Sequence, residues 1–350
     1  MAIQTALFSQ NPYQAALKRD LLYLKKRSIY FGTSSWKYEG WRGLLYLNDY
    51  RSRKAFEGHC LEEYAQIFPM VGGDFSYYQP PSGNFVDDLL AQTPDDFRII
   101  LKATDIFTMR HFPRVPERYR ERSGQRNPDF LSAETYLTRF LKPFETVLRQ
   151  RPDTISTTLF EFTAFDLSAQ SYDLESFCRD LKAFKHNYDT QFRQHVALAP
   201  GRALPKIAVE VRNREFCTEE FHGVLLENGF VPCLTLWSRM PSLHYQWACY
   251  QKAFERYAGV ASTIEHAPLV LRIMMRPGLE RDYVEEHYAP FDKIKKTLEP
   301  ERQLITEIGK QYAKADGAPL QIIINNHFEG CSHQSIAAIA RALCVALDNQ

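Results

Sequence analysis

Lys206-Ile-Ala-Val-Glu-Val-Arg212 is an apolar run that carries a carboxylate and a guanidinium at alternate positions. In a strand, alternate side chains share a face, so Glu210 and Arg212 point the same way. The residues between them are apolar on both faces. That pattern suits a strand buried on both sides, as in a parallel sheet. Charges on one face of such a strand need partners or a ligand, because an unpaired buried charge is very costly.

Seven more runs of this kind surround it: Ser28–Trp36, Val71–Tyr78, Phe97–Ala103, Thr157–Phe162, Pro232–Trp237, Leu269–Met274 and Leu320–Asn326. Segments of helical period lie between them. Leu61, Tyr64, Ala65 and Phe68 form one stripe, and Phe85, Leu89 and Leu90 another. Tyr136, Leu137, Phe140, Phe144 and Leu148 form a third, and Ile336, Ile339, Ala340, Leu343 and Ala346 the last. Eight alternations of strand and helix predict an α/β fold, a single (β/α)8 TIM-type barrel. An open doubly wound sheet is the competing architecture. The 350 residues suffice for such a barrel, which typically needs about 250. No Pro/Gly/Ser-rich linker divides the chain. Residues 1–28 are expected to form a polar extension, helical from Tyr13 to Lys26, and residues 29–350 the barrel domain.

Two segments break the regular spacing and are expected as enlarged loops after strands 3 and 6. Met109 to Asn127 carries Arg110, His111, Arg114, Arg118, Arg120, Arg122 and Arg126. It reads either as a solvated charged loop or as an anion-binding lid. Ser238 to Ser262 is rich in aromatics: Tyr245, Trp247, Tyr250, Phe254 and Tyr257.

Composition excludes several classes. The formal net charge is +1, so no global field favours nucleic acid or an acidic membrane surface. No stretch approaches the roughly 20 apolar residues of a spanning helix, and the N-terminus lacks a signal-peptide core, so no membrane partner is expected. Seven cysteines without a Cys-x-x-Cys pair argue against a disulfide framework and a zinc ribbon, and for reduced thiols in a cytoplasmic protein. His327, Cys331 and His333 match no metal-ligand spacing and read as surface or helix-start residues; no metal or cofactor is assigned. No phosphate-binding loop, zincin motif, nucleophile elbow or dinucleotide fingerprint occurs.

Residues at the carboxyl ends of barrel strands converge on one mouth. The catalytic candidates there are Glu210, Glu161 and Lys102. The ligand-binding candidates are Ser34, Trp36, Asp74, Tyr78, Arg212, Arg272, Asn325 and Asn326. Three cations and two carboxylates suggest a small anionic ligand, phosphorylated or carboxylated. Lys102, Arg212 and Arg272 would hold it, a glutamate would serve as general base, and Asn325 and Asn326 would position it. The reaction classes compatible with this set are hydrolase, lyase and isomerase. Mutual neutralisation of the charges is the structural alternative. A nucleic-acid binder or nuclease is the functional one, on the strength of the arginine-rich loop and interleaved aromatics. A non-catalytic interaction protein would lack a polar pocket at the mouth. Oligomeric state is left open.

Several motifs taken together resemble the domain-of-unknown-function 72 (DUF72, YecE-like) family. Gly32-Thr33-Ser34-Ser35-Trp36, followed by Tyr38, Gly40 and Trp41, is similar to its opening signature. Tyr77-Tyr78-Gln79-Pro80-Pro81-Ser82, Pro94-Asp95-Asp96-Phe97 leading to Lys102-Ala103, Glu210-Val211-Arg212-Asn213, and Asn325-Asn326-His327 with Gly330 follow in order. The resemblance runs from about Phe31 to Leu347. It implies a β/α barrel, broadly like those of sugar isomerases and apurinic endonucleases, and supplies no activity. The chain also departs from the pattern. Val71-Gly72-Gly73-Asp74 lacks the usual acid and has Asp for Asn. Thr108-Met109 replaces Thr-His, Glu161 replaces Gln, and Arg272-Ile273-Met274-Met275 replaces Arg-x-His-Gly. Any proton-transfer chemistry shared with that pattern would need other residues; Glu161 or Asp74 could replace the lost acid and His111 the lost base.

Overall fold

The computed structural model describes residues 11–73, 83–167, 172–198, 201–261, 267–313 and 317–349. Eight parallel strands close into a barrel in chain order: β1 (Ile29–Thr33), β2 (Met70–Gly73), β3 (Arg98–Lys102), β4 (Thr157–Phe162), β5 (Lys206–Val211), β6 (Val231–Leu236), β7 (Leu269–Ile273) and β8 (Leu320–Ile324). β1 pairs with both β2 and β8, which completes the ring and leaves no open sheet edge. The open-sheet alternative is thereby excluded.

The strands form two apolar layers, one on each face. Inward-facing Tyr30, Met70, Ile100, Leu159, Ala208, Val231, Cys233, Val270 and Ile323 fill the interior. The opposite parity, with Phe31, Val71, Leu101, Phe160, Val209, Leu271 and Ile322, packs under the helices. Thr157 Oγ1 donates to Gln321 Oε1 at 3.0 Å, joining β4 to β8 across the barrel. At the amino end of the strands, the Arg98 guanidinium lies 3.9 Å from the Tyr30 ring centroid.

Several helices start on side-chain caps that satisfy exposed backbone donors. Ser52 caps helix Arg53–Ile67, Asp173 caps Leu174–His195 and Thr218 caps Glu219–Glu227. Helix Pro12–Lys25 precedes β1 and places Leu17, Leu21 and Leu24 in the core. Its first turn meets the start of helix Ser332–Asp348, where Tyr13 Oη and His333 Nδ1 are 2.6 Å apart.

The two interrupting segments differ from each other. After β3 the chain runs through short helical turns, and residues 109–127 form a small knot. Met109, Phe112 and Tyr119 cluster, His111 bridges Arg126, and buried Asn127 donates to Ile106 O and Met109 O at 2.6 and 2.7 Å. Arg114, Arg120, Arg122 and Arg126 are exposed on it. After β6, by contrast, most of the expected enlarged loop is the regular helix Leu243–Ala261. Leu243, Trp247, Tyr250 and Ala253 bury one stripe of it against the core with Phe254 and Tyr257 packed beside them, so these aromatics are packing residues, while Tyr245 is exposed. The longer connection on the mouth side follows β7. It carries the short helix Arg281–Tyr288 before helix Glu299–Tyr312 begins.

No helix among the described residues is long and apolar enough to cross a membrane, and all seven cysteines are free thiols.

Gly32 is a close-approach position. A Cβ there would lie 2.4 Å from Met70 O in the paired strand. We expect Gly32→Ala to lower unfolding free energy by about 1–3 kcal/mol through a forced backbone shift. Urea denaturation will read this; an unchanged midpoint would show that the β1–β2 pair tolerates a methyl group.

Candidate active site

Glu161 and Glu210 are register partners on β4 and β5. Each shares parity with an inward residue of the interior layer, Leu159 and Ala208 respectively, so both carboxylates enter the barrel. Side by side they repel, and Glu210 is fully buried.

Three cations compensate them. Arg272, from β7, is 1% exposed. Its Nη1 donates to Glu161 Oε2 at 2.5 Å and also to Glu210 Oε2. Arg212 Nη2 pairs with Glu210 Oε1 at 2.7 Å and with Glu161 Oε2 at 3.2 Å. Lys102 Nζ is 3.0 Å from the same Glu161 oxygen. One carboxylate oxygen therefore meets three cationic groups. Burial alone would raise the Glu161 pKa, but the fields of Arg272, Arg212 and Lys102 outweigh it and hold the carboxyl well below its usual range.

The network is graded from floor to rim. Arg272 and Glu210 are sealed, whereas the side chains of Lys102, Arg212 and Glu161 keep 10%, 12% and 14% of their surface exposed. The Arg212 guanidinium sits 4.3 Å from the Trp237 ring centroid, and Trp237, just past β6, is itself only half-buried. Arg212 Nη1 is buried and has no hydrogen-bond acceptor. Below, the Cys233 thiol faces Glu210 Oε2 at 3.8 Å, and burial and that carboxylate push its pKa up.

The remaining candidates separate. Asn325 Nδ2 donates to Ser34 Oγ at 2.8 Å, joining β8 to β1 at the mouth, while its Oδ1 accepts from His327 N. Asn326 has the opposite parity. It is 1% exposed, and its Oδ1 accepts from Ser332 N and Oγ, both at 2.8 Å, which closes the start of helix Ser332–Asp348. This corrects the expectation that it positions a ligand. Trp36 is corrected as well: it lines an outer groove with Glu57, Leu61, Phe85 and Leu89, between helices Arg53–Ile67 and Gly83–Ala91, rather than the mouth. The chain turns out of the barrel after β1, so strand parity no longer applies there. Arg272, expected to hold a ligand, is enclosed by the two glutamates, and Glu161, expected as a base, is held ionised. Asp74 and Tyr78 lie outside the described residues.

Sequence reasoning missed Trp237 and Glu285, and its reading of His327 as a surface or helix-start residue is corrected, since His327 is buried before the last helix begins. His327 Nε2 and Glu285 Oε1 are 2.9 Å apart, tying the connection after β8 to helix Arg281–Tyr288. Burial lowers the His327 pKa, against the opposing pull of Glu285. His333 is an interior residue of the aromatic contact with Tyr13 and Trp41, where burial pushes its pKa down to about 3. Among the described residues no cluster of three or more histidine, cysteine or acidic side chains could hold a metal ion.

The family model described as "Protein of unknown function DUF72" matches residues 30–349. The chain belongs to the DUF72 family. Among solved structures it is similar to a DUF72 family protein from Enterococcus faecalis V583, at 16% identity and a TM-score of 0.55, over 90% of this chain and 95% of that one. It is also similar to a DUF72 family protein from Thermotoga maritima MSB8, at 18% identity and a TM-score of 0.52, over 91% and 99%. At these identities the likeness concerns the fold. No curated protein matches the sequence.

Removing Arg272 would leave two adjacent buried carboxylates without their shared donor. We expect Arg272→Met to cost about 3–5 kcal/mol of unfolding free energy, and clearly less on a Glu210→Gln background. Chemical denaturation of both variants checks this; equal costs in the two backgrounds would contradict the shared-donor geometry.

The acid response follows from Glu161. Its pKa is depressed in the folded state, so the stability it contributes is present above the ordinary carboxylate range and is lost as pH falls below about 5. Unfolding free energy should therefore decline more gently with acid in Glu161→Gln than in the natural chain. Denaturation midpoints from pH 7 to pH 3 measure this; superimposable acid limbs would assign the decline to other carboxylates.

Proposed function

We propose that the mouth of this DUF72 barrel binds a small anionic molecule, carboxylated or phosphorylated, and that Arg212 is its principal contact. The observation that carries the reading is Arg212 Nη1, a buried guanidinium donor with no acceptor. Such a group costs about 1–3 kcal/mol if left unmade, and an incoming oxyanion satisfies it with a charge-assisted bond. Stacking on Trp237 fixes the plane of the guanidinium, as recognition of a planar carboxylate requires. Lys102 stands beside it at the rim, and the hydrogen-bonded pair Asn325–Ser34 supplies neutral polar groups at the β8–β1 side.

Glu161 and Glu210 then act by fixing the cations rather than by moving protons. A carboxylate held ionised by three cations is a weak general base near neutral pH. Hydrolase, lyase and isomerase chemistries on an anionic substrate all begin by orienting it, and that is the step these residues would serve.

The test is isothermal titration of the full chain with inorganic phosphate, acetate, pyruvate, citrate and a hexose phosphate. At least one should bind, and Arg212→Gln should weaken it about tenfold or more, the value of one charge-assisted bond. Equal affinity in both proteins, or no binding by any of the five, would overturn the reading.

A second reading, nucleic-acid binding, draws on four exposed arginines of the ordered 109–127 knot, on the mouth side of β3. It requires the affinity for single-stranded DNA to fall by at least about an order of magnitude between low and moderate salt, and to drop further in Arg114→Ala/Arg120→Ala. A filter-binding titration showing no such affinity removes it.

A further inference from the structure

Lys102 shares its carboxylate partner with a second cation at the mouth. Its Nζ and Arg212 Nη2 lie 3.0 and 3.2 Å from the same oxygen, Glu161 Oε2, so the amine and the guanidinium flank one point. They differ in what they can do. Arg212 retains an Nη1 donor with no acceptor, and its plane is fixed by Trp237. Lys102 ends β3 with inward parity, on a side chain that is nine-tenths buried yet keeps some surface at the rim. A largely buried lysine amine next to another cationic group is one arrangement in which lysine serves as a nucleophile toward carbonyl compounds, here with its ammonium form also held by Glu161.

We propose that Lys102 is a Schiff-base lysine, and that the ligand class of the mouth is an α-keto acid. The inference rests on the anion-binding reading above and narrows it. An α-keto acid carries a carboxylate directly bonded to a carbonyl carbon. In the proposed complex Arg212 takes the carboxylate, and the reaction requires the adjacent carbonyl carbon to come within the roughly 3–3.5 Å approach of a reacting pair from the neighbouring amine. Glu161 holds both cations through one oxygen and is a positioning residue.

The step balances without any co-reactant. The amine nitrogen attacks the carbonyl carbon and the C=O π bond breaks, giving a carbinolamine. The C–O bond then breaks as the C=N bond forms. Starting from the ammonium, two of its three protons leave with the carbonyl oxygen as water, and the third stays on the iminium nitrogen. No electrons are gained or lost. An iminium next to the substrate's α-carbon withdraws electrons from the neighbouring carbon–carbon and carbon–hydrogen bonds, which places the site on the lyase side of the reaction classes it could serve.

The experiment treats the full chain with pyruvate, α-ketobutyrate or α-ketoglutarate in the presence of cyanoborohydride, which reduces iminium but not free ketone. Intact mass and peptide mapping then locate the adduct, and titration calorimetry in parallel measures binding of the same acids. We expect one adduct per chain, on Lys102, in at least one of the three incubations. It should be absent in Lys102→Arg, which keeps the charge at the rim, and reduced about tenfold in Arg212→Gln. Labelling spread over surface lysines with Lys102 unmodified would overturn the proposal. So would α-keto acids that bind in calorimetry without being trapped, a result that leaves the anion site standing. Binding of other anions with no binding of the three α-keto acids would overturn the proposal alone, and no binding of any anion would overturn both readings.

Discussion

Two carboxylates placed side by side in a closed barrel set the terms for everything at its mouth. Glu161 and Glu210 are register partners, and Glu210 has no access to water. Their repulsion is not screened by solvent, so the fold must supply cations from its own wall. Arg272 supplies the first from β7, across the interior, by placing one nitrogen against both glutamates. Only a closed ring brings β7 to face β4 and β5 at that depth. The charge pattern and the topology therefore depend on each other.

Such a network is a poor explanation of stability. Desolvating the ions costs as much as their attraction returns, and an apolar layer of similar volume would serve the fold at least as well. The interior just below is in fact apolar, built from Ile100, Leu159, Ala208, Val270 and Ile323. The ion-pair network is confined to the end of the strands where β/α barrels carry their ligands, while the deeper interior carries the neutral pair Thr157–Gln321. That confinement, rather than the number of ion pairs, is what makes the site a candidate for chemistry.

Much of this was legible from period-two alternation. Lys102, Glu161, Glu210, Arg212, Arg272 and Asn325 share inward parity with the apolar residues of their own strands, and a sequence read two residues at a time finds them. Asn326 is one step out of phase, and the same count would have turned it away from the mouth. Residues 238–262 were misread because aromatic density was weighed above period: Leu243, Trp247, Tyr250 and Phe254 recur at helical spacing. The roles of Trp237, His327 and Glu285 were harder to find. Each acts through a partner far along the chain, and no local pattern records that Trp237 will stack on Arg212 or that His327 will meet Glu285.

The gradient of burial decides which charges belong to the fold and which to a ligand. Arg272 and Glu210 lie at the floor, sealed against each other, and their electrostatic needs are met there by Glu161 and Arg212. Glu161 spans the two levels, with one oxygen accepting from the floor and from both rim cations. Arg212 carries a donor that the network does not use, and Glu210 Oε1, ion-paired to Arg212 Nη2, likewise has no hydrogen bond. Arg212 Nη2 serves both carboxylates, its ring-like plane is held by Trp237, and its Nη1 is left without an acceptor. That buried donor, on a side chain that reaches the rim beside Lys102, is the feature on which the proposal of a recognition site rests.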